Sequence, residues 1–170
     1  MEGLNMISKT IQKALNDQIN RELFSSYLYL AMSAHCAEKG YKGTAKWFRV
    51  QFQEELDHAM KFFDYVLSQG GVPDLGVVAK PETPQKTLLE LFESTLAHEQ
   101  SITKALNDLM NLAVSEKDFA TQALLQWYIT EQVEEEANDL DVVTMLKMAG
   151  SSSGTLLMID KQLGKRGATA

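Results

Sequence analysis

Along residues 8–38, apolar or small side chains recur at helical spacing: Ile11, Leu15, Ile19, Ser26, Tyr29, Leu30, Ser33 and Cys36. Lys39-Gly40 then supplies a basic last turn and a glycine stop. One long helix is predicted there. A turn over residues 40–43 leads to a second helix over about 44–68, with Phe48, Phe52, Phe62 and Val66 on its inward side. Two long helices joined by so short a turn pack antiparallel. Thr87-Leu88-Leu89-Glu90 reads as a capping box that opens a third helix, whose stripe is Leu88, Phe92, Leu96, Ile102, Leu106, Leu109 and Ala113. After Ser115-Glu116-Lys117-Asp118, a fourth helix is expected over about 119–148 with Leu125, Tyr128, Val142 and Leu146 inward. A glycine-serine run, Gly150-Ser151-Ser152-Ser153-Gly154, ends it. Residues 155–163 form a short apolar fifth helix, and 164–170 read as a loose tail.

Pro73, Pro81 and Pro84 all lie in the connection over residues 70–85, together with Val72, Leu75, Val77 and Val78. Helices of roughly 28 residues are about 42 Å long, and some 16 residues of extended chain span about 53 Å. The connection can therefore run the length of the helices, and its Val and Leu content favours a packed crossover over a flexible linker between two domains. The expected fold is all-α: a four-helix bundle over about 8–148, with a long crossover between helices 2 and 3 and a short fifth helix. One domain is expected to account for residues 1–170.

Four of the apolar stripes are interrupted by acids at their midpoints. Glu22 breaks the first and Glu99 the third; Glu55 and His58, three residues apart on one face, break the second; Gln132 and Glu135 occupy inward turns of the fourth. Each has an ordinary explanation alone: a stripe-edge glutamate reaching solvent, or a satisfied semi-buried histidine. Together, at matched depth, they meet when the hairpins fold face to face. Burying several carboxylates without a counter-ion costs several kcal/mol each or forces them to take up protons. His58 is the only basic residue within a turn of them on the inward stripes, so a metal centre is the natural compensation. Oxygen ligands with one imidazole suit iron or manganese, although zinc also binds such sets. Glu54, Glu131 and Glu134 adjoin the ligands and either extend the site or form a solvated acidic face. Tyr29, two turns from Glu22, is core packing or a neighbour of the metals. His35 and His98 have no Glu three residues before them and read as structural; Met32, Met110, Met145, Met148 and Met158, with Trp47 and Trp127, read as packing residues.

A net charge of −7 over 170 residues argues against nucleic acid or an anionic membrane as partner. The single cysteine, Cys36, cannot form an internal disulfide, and Met1-Glu2-Gly3-Leu4-Asn5 lacks a basic region followed by an apolar one, which points to a reducing, cytoplasmic setting. No apolar run is long enough to cross a bilayer.

The stretches Asn20-Arg21-Glu22-Leu23-Phe24-Ser25-Ser26-Tyr27-Leu28-Tyr29, Gln53-Glu54-Glu55-Leu56-Asp57-His58, His98-Glu99-Gln100 and residues 125–136 resemble a bacterial-type non-haem ferritin, over nearly the whole chain. The resemblance implies an iron-storage ferroxidase. In it, Glu22, Glu55 and His58 hold one iron, with Glu55 bridging; Glu99 and Glu135 complete the second, with Gln132 close by. Glu54, Glu131 and Glu134 match the ligands of a third iron position, and Tyr29 matches a tyrosine that serves as electron donor. Fe(II) and either O2 or H2O2 would be the substrates, and a homo-oligomeric cage of 24 subunits the assembly, its fifth helices lining the four-fold axes. Asn138 stands where bacterioferritins and rubrerythrin-like enzymes carry the histidine of a second Glu-x-x-His. Leu56 replaces the haem-binding methionine of bacterioferritins, so no haem is expected, and no Cys-x-x-Cys is present for a rubredoxin-type iron. A di-iron oxidase or peroxidase that stores no iron is the alternative function, and a metal-free scaffold bundle a poorer one.

Overall fold

The computed structural model describes residues 6–82 and 86–167; Met1, Pro84 and Gln85 are among the positions outside the described residues. Five helices follow in order: α1 (Lys9–Glu38), α2 (Lys42–Ser68), α3 (Leu88–Ser115), α4 (Phe119–Ala149) and α5 (Ser153–Leu163). Local chemistry sets most of the boundaries. Ser8, Asp118 and Ser152 cap α1, α4 and α5 by accepting from the backbone N–H three residues on, and Thr87 and Glu90 form the reciprocal capping box of α3.

The first helix of each long pair packs on the second, and the crossover joins the pairs. It runs back along α1: Gln12 donates to the Val72 carbonyl at 3.0 Å, Gly76 N–H donates to Asn20 Oδ1 at 3.1 Å, and His35 meets the Lys86 carbonyl at 3.4 Å. Anchors at Gln12, Asn20 and His35 cover most of α1, so α3 starts at the end where α1 stops. A Cβ at Gly76 would sit 2.3 Å from the Asn20 amide nitrogen, so any larger residue there would have to turn the Asn20 side chain away from this contact.

Two apolar clusters fill the bundle, one at each end. Leu28, Tyr29, Phe48, Phe92, Val142 and Leu146 belong to the first, which α5 closes with Ile159 and Leu163. Ile11, Leu15, Phe62, Leu106, Leu125 and Tyr128 belong to the second. Between them lies a layer of buried polar side chains contributed by all four long helices.

Where the sequence pattern and the structure differ, the reason is packing. Leu30, expected inward, is 37% exposed, and Met148 and Met158 stand 79% and 72% exposed. Phe52 and Leu96 are only half-buried. Helical spacing marks a face about 100° wide, and a long helix in a bundle buries less than that where the neighbouring helix diverges. Residues 164–167 are not a loose tail. Gly164 lies against Gly43, and Arg166 reaches back onto α2.

The start of α2 carries no side-chain cap of its own from Tyr41. The cap comes from α5 instead: Asp160, 7% exposed, accepts from Gly43 N–H at 3.1 Å, Thr44 N–H at 2.7 Å and the Thr44 hydroxyl at 2.8 Å. A negative charge on a helix N-terminus is favoured by its orphan donors and dipole. Asp160→Ala is expected to cost about 2 kcal/mol, read as a lower denaturation midpoint, and to expose α5 to proteolysis. Retained stability would show that the apolar contacts of Ile159 and Leu163 hold α5 by themselves.

Candidate metal centre

The polar layer is built where the four stripes are interrupted. Glu22, Glu55, Glu99 and Gln132 are buried, as are His58 and Glu135. Glu22, Glu55 and His58 offer ligand atoms that all lie within 4.8 Å of one another. His58 Nδ1 faces Glu55 Oε2 at 3.4 Å, a consequence of their spacing of three on α2. The ring of His58 also packs nearly perpendicular to the rings of Trp127 and Tyr128, at centroid distances of 5.4 and 5.7 Å, while the Tyr128 hydroxyl donates to the His58 carbonyl at 2.7 Å.

Glu99 completes the layer from α3. It accepts a short hydrogen bond from the Tyr29 hydroxyl, and Gln132 Nε2 donates to its Oε2 at 3.1 Å and to its carbonyl at 3.2 Å. Tyr29 is thus buried, as its stripe position predicts, with its phenol on a proposed ligand. The fourth acid, Glu135, feels the charge of Glu55 most strongly after its own burial.

Electrostatics mark this layer as costly without a cation. Burial first and the Glu55 charge second push Glu22 up to about 8, and the same two causes push Glu135 up to about 7. Glu99 is raised well above the usual carboxylate range, by burial and then by Glu55, against the hydrogen bonds from Tyr29 and Gln132. Burial works against charge on His58, but the hydrogen bond and charge of Glu55, with Glu22 and Glu135 behind, outweigh it and lift the imidazole to about 9. These shifts favour protons on the metal-free layer, the protons that a bound metal ion would replace.

Four members of the layer were not singled out from the sequence. Gln18 and Gln51 lie one turn before Glu22 and Glu55 and donate to them at 2.8 Å each, orienting the carboxylates. Asp139, one turn after Glu135, is 1% exposed, and among the described residues neither of its oxygens finds a donor. Burial and then the Glu135 charge raise it to about 8. A spacing of four along an acidic stripe was the available signal for these three. Arg166 had none, since its contacts with Gln51 and Glu54 bridge more than a hundred residues. The other proposed third-position residues are less gathered: Glu54 is half-buried and paired with Arg166, Glu131 is half-buried and near enough to act on Glu54, and Glu134 is exposed. His98 is a structural histidine, its Nε2 2.8 Å from Ser25 Oγ and its ring edge-on to Tyr29.

An all-helical bundle with a long crossover and a buried, carboxylate-rich layer carrying one imidazole defines the class of carboxylate-bridged metal bundles. Comparison with known proteins narrows that class. The family described as the ferritin-like domain matches residues 12–149. A bacterial non-heme ferritin of Bacteroides fragilis is 40% identical over 161 residues, covering 95% of this chain and 100% of that protein. One from Escherichia coli O6:H1 is 39% identical over 158 residues, covering 93% and 96%. Among solved structures, an open-pore ferritin of the hyperthermophilic archaeon Archaeoglobus fulgidus superposes with a TM-score of 0.94 at 46% identity, covering 95% of this chain and 99% of that one. The chain belongs to the ferritin family.

Proposed function

We propose that this chain stores iron, oxidising Fe(II) at a two-iron site in the polar layer and passing Fe(III) to a mineral held within a homo-oligomeric cage. Iron storage with ferroxidase activity is the function that ferritin membership carries. The observation that supports its placement is the gathering of Glu22, Glu55 and His58 within 4.8 Å in a layer that holds surplus protons. Glu22, Glu55 and His58 hold the first Fe(II). Glu55 bridges to a second held by Glu99 and Glu135, with Gln132 orienting Glu99. Each Fe(II) loses one electron, and the pair reduces O2 with two protons to H2O2, or H2O2 with two protons to two waters. Carboxylates favour Fe(III), which lowers the barrier to oxidation, and their flexibility lets the product leave.

Tyr29, hydrogen-bonded to Glu99, is a further one-electron donor to the oxidant: the electron goes to the oxidant, the phenol proton to the Glu99 carboxylate, and a neutral tyrosyl radical remains. Glu54, Glu131 and Glu134 form a third iron position on the flank of the bundle. The assembly is a 24-subunit cage, in the cytoplasm, where a single buried thiol, Cys36, stays reduced. The ferritin comparisons do not favour a di-iron oxidase that stores nothing.

Aerobic loading with Fe(II), in large excess over two or three per chain, tests the whole reading. Fe(III) is expected to coelute, in that excess, with a particle far larger than a dimer. Iron that stops at about two per chain on a small oligomer, as in a plain di-iron bundle, would replace storage with redox turnover.

A further inference from the structure

Residues 164–167 bring a cation to the edge of the metal layer. Arg166 Nη1 donates to Gln51 Oε1 at 2.7 Å, Nη2 forms a short ion pair with Glu54, and the guanidinium lies 4.4 Å from the Trp47 ring centroid. The same charge acts on Glu135 and Asp139. Lys46 Nζ donates to the carbonyl of Gly164, two residues earlier, at 3.0 Å. Three different contacts on one side chain, 21% exposed, describe a seated group and not a trailing one.

The contact with Gln51 matters beyond the flank. Gln51 is buried and has one amide to share. With Arg166 donating to its oxygen, its nitrogen must face Glu55, and it donates there at 2.8 Å. Arg166 therefore fixes the amide that pins one oxygen of the central carboxylate. A cation that reached Glu54 would meet the guanidinium already bound to one of its oxygens, and two positive charges crowded on one carboxylate repel each other, so the two compete for it.

We propose that Arg166 is a tethered counter-ion for the acidic flank of the metal centre: seated on Trp47, Gln51 and Glu54, it holds the place of a divalent cation at Glu54, and a cation binds there only by displacing residues 164–167. Displacement also releases Gln51, and with it the fixed oxygen of Glu55. The flank and the centre are thereby coupled through one positioning residue. This rests on the metal reading of the layer.

Zn2+, which is redox-inert, separates the two readings when titrated by calorimetry into the metal-free assembled protein. Loss of the strongest binding in Glu55→Ala/His58→Ala establishes the metal layer; its persistence would overturn that reading and the inference with it. Given the layer, Arg166→Ala is expected to tighten the weakest Zn2+ event about three- to tenfold, as removal of a partly exposed competing ion pair should. Arg166→Lys should stay near the parent affinity, and Arg166→Ala should have no effect in a Glu54→Gln background. Unchanged or weakened Zn2+ binding in Arg166→Ala would overturn the counter-ion role alone. A second readout needs no change at Arg166: in a Trp127→Phe background Trp47 is the only tryptophan, and its emission should shift as the last Zn2+ binds. A constant emission at saturation would mean that Arg166 never leaves.

Discussion

Glu55→Ala is expected to slow the rapid phase of Fe(II) oxidation by about 100-fold or more, a larger loss than a displaced orienting group produces. Glu55 is the hub of the layer. Its charge is among the causes that shift Glu22, Tyr29, His58, Glu99, Tyr128, Glu135 and Asp139, so it lies close to proposed ligands on all four long helices. Removing it takes a ligand from both proposed irons and leaves His58 without its partner. Glu54→Gln, on the flank, should alter the initial rate far less. Stopped-flow absorbance of the Fe(III) product, with size-exclusion to confirm intact assembly, reads both. Parent-like oxidation by Glu55→Ala would remove the proposed centre from the polar layer.

The metal-free protein should lose stability as pH rises from 6 to 9, the reverse of a protein held by salt-bridged carboxylates. Glu22 moves from 4.5 to about 8, Glu135 from 4.5 to about 7 and Asp139 from 3.8 to about 8. Between the low and high values the folded state keeps protons that the unfolded chain has shed, so the slope of unfolding free energy with pH is negative. His58, raised from 6.5 to about 9, acts in the same direction: its stabilisation is complete below 6.5 and lost as pH rises through 9. Across these four groups the melting temperature in chelator should fall by roughly 10 °C or more between pH 6 and 9. Zn2+ binds the deprotonated ligands, so the stabilisation it adds should grow over the same interval. A flat profile in chelator would mean that water or another cation already compensates the buried acids.

How far the sequence reaches can be judged helix by helix. The stripe of α3, opened by Thr87 and Glu90, predicts an element that the structure begins at Leu88. Such signals are legible because caps and 3.6-residue periodicity act over a few residues. The same periodicity exposes Glu22, Glu55, Glu99 and Glu135 as interruptions, and Gln18, Gln51 and Asp139 lie one turn from them on the same faces. It misjudged Leu30 and Met148, because burial depends on how closely a neighbouring helix approaches.

The chain's own order of residues therefore determined the helices, their inward faces, the reach of the crossover and the chemistry buried at mid-bundle. Tertiary structure alone decided which acids share a ligand sphere, that Tyr29 and Gln132 converge on Glu99, that Asp160 of α5 caps α2, and that Arg166 sits on Gln51 and Glu54. The division follows from range. Periodicity and capping are set by neighbours within two turns, whereas a contact between residues a hundred positions apart exists only once the helices have packed.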